Sequence, residues 1–148
     1  MSKKIKLNKA EKLLALYVAE TRDWEMKGTN THLMGLQTPH ANLLGVSGEI
    51  AFNKMINQYY NPEQREAWDV KYKGKLWDVK CNDNQHQTCF INPKCIGKGN
   101  DGFVYMHTDD LETFEFIGRI SEARLVKDFT VKAATHSDAY ILNAEDFD

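Results

Sequence analysis

The sequence predicts an α/β fold built as a single domain over residues 1–148. Three observations carry this. Two stretches in the first 60 residues space their apolar residues as an amphipathic helix does. From Ala67 onward, short runs alternate apolar and polar residues with the period of a strand. No internal repeat, low-complexity tract or linker divides the chain.

Composition bounds the class. Hydrophobic residues make up 42% and charged residues 27%, as in ordinary globular proteins. No apolar run approaches the roughly 20 residues of a membrane span. The start, MSKKIKLNKAEK, is basic and lacks the apolar core of a signal peptide. The expectation is a cytoplasmic protein with no membrane partner. The three cysteines, Cys81, Cys89 and Cys95, are an odd number, which fits reduced thiols in that compartment.

The first helix is expected from Lys9 to about Lys27, with Asn8 as its N-cap. Leu13, Leu14, Leu16, Tyr17 and Val18 form its apolar side. Residues up to about 38 form a helical extension that packs on the outside of the fold or supplies a dimer face. Residues 28–38 are polar and turn-rich. Pro39 or His40 opens a second helix that is expected to run to Tyr60, where Asn61-Pro62 breaks it. Its apolar stripe contains Leu44, Ile50, Ala51, Met55 and Ile56, and Glu49 sits one step from that stripe.

Residues 67–81, AWDVKYKGKLWDVKC, predict a hairpin with its turn at Lys73-Gly74-Lys75. Alternation sets Leu76, Asp78 and Lys80 on one face and Trp77, Val79 and Cys81 on the other. The hairpin brings Asp69 close to Asp78 across the ladder. Two carboxylates at that distance repel, and ionising both is costly. A hard divalent cation with oxygen ligands relieves the repulsion. A solvated, charged strand face is the plainer explanation of the same residues.

The remaining elements follow in order. Residues 82–88, NDNQHQT, are a polar loop, and Cys89–Ile91 a short strand. Residues 94–102 form a glycine-containing loop without the spacing of a phosphate-binding P-loop. Strands are expected at Gly102–His107 and Thr113–Ile120, then a helical piece at Ser121–Val126. Asp138–Leu142 is an edge strand, and Ala144–Phe147 a final turn.

The segment Gly45-Val46-Ser47-Gly48-Glu49-Ile50-Ala51 on a helix, followed by Asp69 and Asp78-Val79-Lys80 on a hairpin, resembles the PD-(D/E)xK nucleases of the restriction-endonuclease-like fold. Trp68 stands where the motif has proline, and Asp78 where glutamate is commoner. The resemblance covers about residues 40–143. It implies a mixed central β-sheet flanked by helices and hydrolysis of phosphodiester bonds, in DNA before RNA. It also implies Glu49, Asp69, Asp78 and Lys80 as the catalytic set. Asp69, Asp78, Glu49 and the backbone carbonyl of Val79 would hold Mg²⁺ or Mn²⁺. Lys80 would orient the attacking water.

Net charge is −2, so a nucleic-acid partner must be met by local patches. Lys71, Lys73 and Lys75 on the hairpin, with Gln85 and Gln87 in the following loop, are the candidate DNA contacts. The small size suits a homodimer or a subunit of a larger complex. Two other readings stand beside this one. One is a non-catalytic nucleic-acid-binding or interaction module on this fold. The other is a small regulatory protein with zinc at Cys81, His86, Cys89 and Cys95.

Overall fold

The computed structural model describes residues 3–26, 39–63, 68–83, 87–133 and 137–148. It is a mixed α/β structure. A five-stranded sheet has the order β1 (Lys3–Lys6), β6 (Thr113–Ser121), β5 (Gly102–Thr108), β3 (Lys75–Asn82), β2 (Val70–Tyr72), and β4 (Cys89–Ile91) and β7 (Tyr140–Leu142) form a separate pair. Among the described residues no helix is long and apolar enough to cross a membrane.

Strand β1 (Lys3–Lys6) pairs antiparallel with β6 at the sheet edge. Sequence reading places no strand here, because KKIK carries only one apolar residue. Its lysines suit an edge strand, where charge discourages pairing with another chain. Helix α1 (Lys9–Met26) starts as expected at Asn8. The Glu11 N–H donates to Asn8 Oδ1 at 2.9 Å and the Asn8 N–H donates to Glu11 Oε1 at 2.7 Å, a capping box. The buried side of α1 differs from the expectation. Ala15, Val18 and Ala19 face the core, while Leu13, Leu16 and Tyr17 are exposed.

Helix α2 (Pro39–Met55) ends well before Tyr60. Asn57 adopts a left-handed φ of 58°. The Asn57 N–H donates to the Lys54 carbonyl and the Gln58 N–H to the Asn53 carbonyl. This pattern is a Schellman motif with asparagine in glycine's usual place. The apolar pattern continues into Ile56, so periodicity alone overruns the cap.

Strands β2 (Val70–Tyr72) and β3 (Lys75–Asn82) form the expected hairpin. Lys73 and Gly74 both have positive φ, at 52° and 76°. They make the tight two-residue turn, and Lys75 already pairs with Tyr72. Strand β3 runs parallel to β5 (Gly102–Thr108), which is buried along its whole length. Strand β6 (Thr113–Ser121) returns antiparallel and leads into α3 (Glu122–Asp128), capped by Ser121. Strand β4 (Cys89–Ile91) pairs with β7 (Tyr140–Leu142).

The sheet separates two cores. Helices α1 and α2 cover one face, where Val46, Phe52, Trp77, Val79, Val104 and Phe114 pack together. The other face carries Phe103, Tyr105 and Ile120 against Leu125 of α3 and the β4/β7 pair. Covering both faces of β5 accounts for its unbroken burial from Gly102 to Thr108.

Candidate active site

The site forms where the β2 ladder stops. Val70 pairs with Trp77, so Asp69 falls opposite Asp78. The Asp69 backbone leaves the regular ladder at this point. Its N–H still donates to the Trp77 carbonyl at 2.9 Å, and its side chain turns inward. Asp69 Oδ2 accepts the Val79 N–H at 2.8 Å. A carboxylate therefore takes the place of a strand carbonyl and stands beside Asp78.

The two carboxyl groups lie within hydrogen-bonding reach of each other. Burial holds the Asp69 carboxyl well above the usual range. The charges of Glu49 and Asp78 and the bond to Asp78 add to the rise, and the Val79 N–H opposes it. A bond between two carboxyl groups needs a proton on one of them. Asp78 is buried, and its Oδ2 lies 3.2 Å from Lys80 Nζ. Burial works against the Lys80 charge, but the neighbouring Asp78 carboxylate outweighs it and raises its pKa. Cys95 Sγ is 3.6 Å from the same nitrogen.

Glu49 reaches the group from α2. Gly48 makes this approach possible, since a Cβ there would stand 2.5 Å from Cys81 Cβ and 3.0 Å from Cys81 Sγ. Glu49 is buried and gripped at both oxygens. Arg22 Nη1 donates to Oε2 at 3.0 Å and Nη2 to Oε1 at 3.3 Å. The Tyr60 hydroxyl donates to Oε1 at 3.4 Å and receives Arg22 Nη2 at 3.3 Å. Burial raises the Glu49 pKa, Arg22 lowers it, and the Asp78 charge raises it again, leaving it above normal.

The structure thus brings Asp69, Asp78 and Lys80 into contact, with Glu49 coupled to them through charge. Val79 contributes its N–H to Asp69. Lys71, Lys73 and Lys75 do not gather on the Asp78 face. Lys71, opposite Leu76, shares that face by register. Lys75, opposite Tyr72, points to the other. Lys73 lies 5.3 Å from the Tyr72 ring centroid. Gln87 is part-buried with a φ of 49°. Gln85, His86 and the loop over 28–38 lie outside the described residues.

Arg22 and Tyr60 are the site residues that sequence reasoning missed. Arg22 falls one turn beyond Val18 and Ala19, on the buried side of α1, and that spacing is the only trace it leaves in the sequence. Cys95, expected as a zinc ligand or a plain thiol, lies beside Lys80. Cys81 packs on the α1/α2 core, while Cys89 and Cys95 pack on the other. Burial pushes the Cys89 thiol up to about 12.

A cavity of about 490 Å³ opens beside Lys80, lined also by Ala41, Asn82, Phe90 and Tyr105. Phe90 stands half exposed at its rim. The Asn82 carboxamide is engaged internally, accepting from the Tyr105 hydroxyl at 2.7 Å and donating to the Thr88 carbonyl. His40 Nε2 meets Asp83 Oδ2 at 2.9 Å, tying the start of α2 to the end of β3.

Among the described residues, no group of three or more His, Cys, Asp and Glu side chains is placed to hold a metal ion. The donor chemistry of the Asp69–Asp78 pair nevertheless fits one hard cation. Two oxygen donors are held close together against burial and mutual repulsion, which a cation would relieve. Glu49 is committed to Arg22 and does not complete a three-acid cluster. No family model matches the chain, and no curated protein matches it.

Proposed function

We propose that the chain is a metal-dependent nuclease with a restriction-endonuclease-like core that hydrolyses phosphodiester bonds in DNA. The observation that carries this is the Asp69–Asp78 carboxyl pair, held in hydrogen-bonding reach beside Lys80. The mixed sheet, with α2 ahead of the β2–β3 hairpin, supports the same class.

Asp69, Asp78 and the Val79 carbonyl would hold Mg²⁺ or Mn²⁺. When bound, the cation supplies Lewis acidity at the phosphate and neutralises charge on the leaving oxygen. The chain's own residues do the rest. Lys80 stays charged because Asp78 sits 3.2 Å away. Its ammonium orients the attacking water in line with the leaving oxygen and offsets charge on the phosphorane. Glu49, fixed by Arg22, acts on the pair by charge and through water. The cavity beside Lys80 offers room for the adjoining nucleotide, with Phe90 as a stacking face.

A cleavage panel tests this reading. Plasmid, linear, single-stranded and four-way-junction DNA are incubated with Mg²⁺ or Mn²⁺, with EDTA as control. Metal-dependent cleavage of at least one form supports the proposal. DNA binding without cleavage moves the assignment to a non-catalytic module.

A further inference from the structure

Helix α1 carries two apolar faces. One is buried against α2 through Ala15, Val18 and Ala19. At about 100° per residue, Lys9, Leu13, Leu16, Tyr17 and Glu20 fall together on the opposite side. Leu13 is 57%, Leu16 45% and Tyr17 68% exposed. Scattered exposed apolar residues are ordinary, but three on one helical stripe mark an interaction surface.

The stripe is self-complementary. Lys9 and Glu20 close its two ends, both exposed, and neither forms an ion pair among the described residues. Consider α1 packed antiparallel on its own two-fold copy. The register that sets Lys9 against Glu20 of the second copy also sets Leu13 against Leu16 of that copy. Symmetry repeats both contacts, so four leucines are flanked by two ion pairs. We propose that this face is a homodimer interface, with α1 pairing antiparallel with itself about a two-fold axis between Leu14 and Ala15.

Arg22 and the carboxylate site lie on the far side of the helix, so the interface leaves them free. A single helix face is small beside the roughly 1,600 Å² of a standard interface. The dimer is therefore concentration-dependent, with a dissociation constant on the order of micromolar. The proposal stands or falls independently of the nuclease reading.

The test is sedimentation equilibrium of the full chain over a concentration series, with circular dichroism confirming the fold of each variant. Wild type is expected to dimerise and Leu16→Asp to remain monomeric. Lys9→Glu or Glu20→Lys alone should weaken the dimer by on the order of tenfold, since each creates two like-charge contacts. The double reversal K9E/E20K should restore it, because the swapped charges pair again. A monomeric wild type, a dimer indifferent to Leu16→Asp, or a double reversal no better than the singles would overturn the proposal.

Discussion

Asp69 Oδ2 accepts the backbone N–H of Val79 at 2.8 Å, ten residues along the chain and one strand across. This bond replaces a ladder contact with a side chain and fixes the carboxylate next to Asp78. It also makes the pair costly without a cation, because Asp69 ionises against burial and two neighbouring acids.

The first prediction follows from that cost. Asp69 has a folded pKa raised above its unfolded value, so its stabilising contribution is present at low pH. That contribution is lost as pH rises from the ordinary carboxylate range through the raised value. Asp69→Asn keeps an acceptor for the Val79 N–H and removes the charge. In EDTA at neutral pH its melting temperature should exceed that of wild type. The gap should close on acidification, and Mg²⁺ should stabilise only wild type. Thermal melts over a pH series check all three.

Arg22→Ala leaves the buried Glu49 carboxylate without its cation. Removing one partner of a buried pair costs about 3 kcal/mol or more. Urea denaturation should show a loss of that order. Glu49→Gln should cost less, and should reduce cleavage more mildly than changes at Asp69 or Asp78.

Gly48→Ala sets a methyl against Cys81 Cβ. Overpacking of this kind costs about 1–3 kcal/mol, and it displaces Glu49 from the sheet. Cys81→Gly in the same chain should recover much of the loss, since the clash is with the cysteine Cβ. A double-mutant cycle of unfolding free energies measures that coupling.

Lys80→Ala removes a donor poised for charge on the phosphorane. Losing one such donor typically costs about 10²–10³ in rate. Cleavage should fall by that order while metal affinity changes little, read from single-turnover kinetics and metal titration.

The parts of this architecture legible in the sequence are those set by local pattern. Period-2 alternation separated Asp78 and Lys80 from Trp77 and Val79, and Asn8 announced the start of α1. Other features depend on distant partners. Arg22 carries no mark beyond its place on a helical face, and only packing of α1 on α2 brings it to Glu49. Leu13, Leu16 and Tyr17 read as core because apolar content on α1 exceeds what one face can bury. KKIK reads as a charged tail until β6 offers an edge. The sheet order, and the separate pairing of β4 with β7, rest on contacts between residues far apart in sequence.

The central claim is that Asp69 and Asp78 together hold one divalent cation. Calorimetric titration of Mn²⁺ into the metal-free protein at neutral pH, repeated in two buffers of different ionisation enthalpy, tests it most directly. The account predicts one bound equivalent, with proton release in step with the raised Asp69 pKa, since a carboxylate ligand must be deprotonated, and no binding to Asp78→Asn. Absence of binding to wild type, or equal binding to wild type and Asp78→Asn, would contradict it.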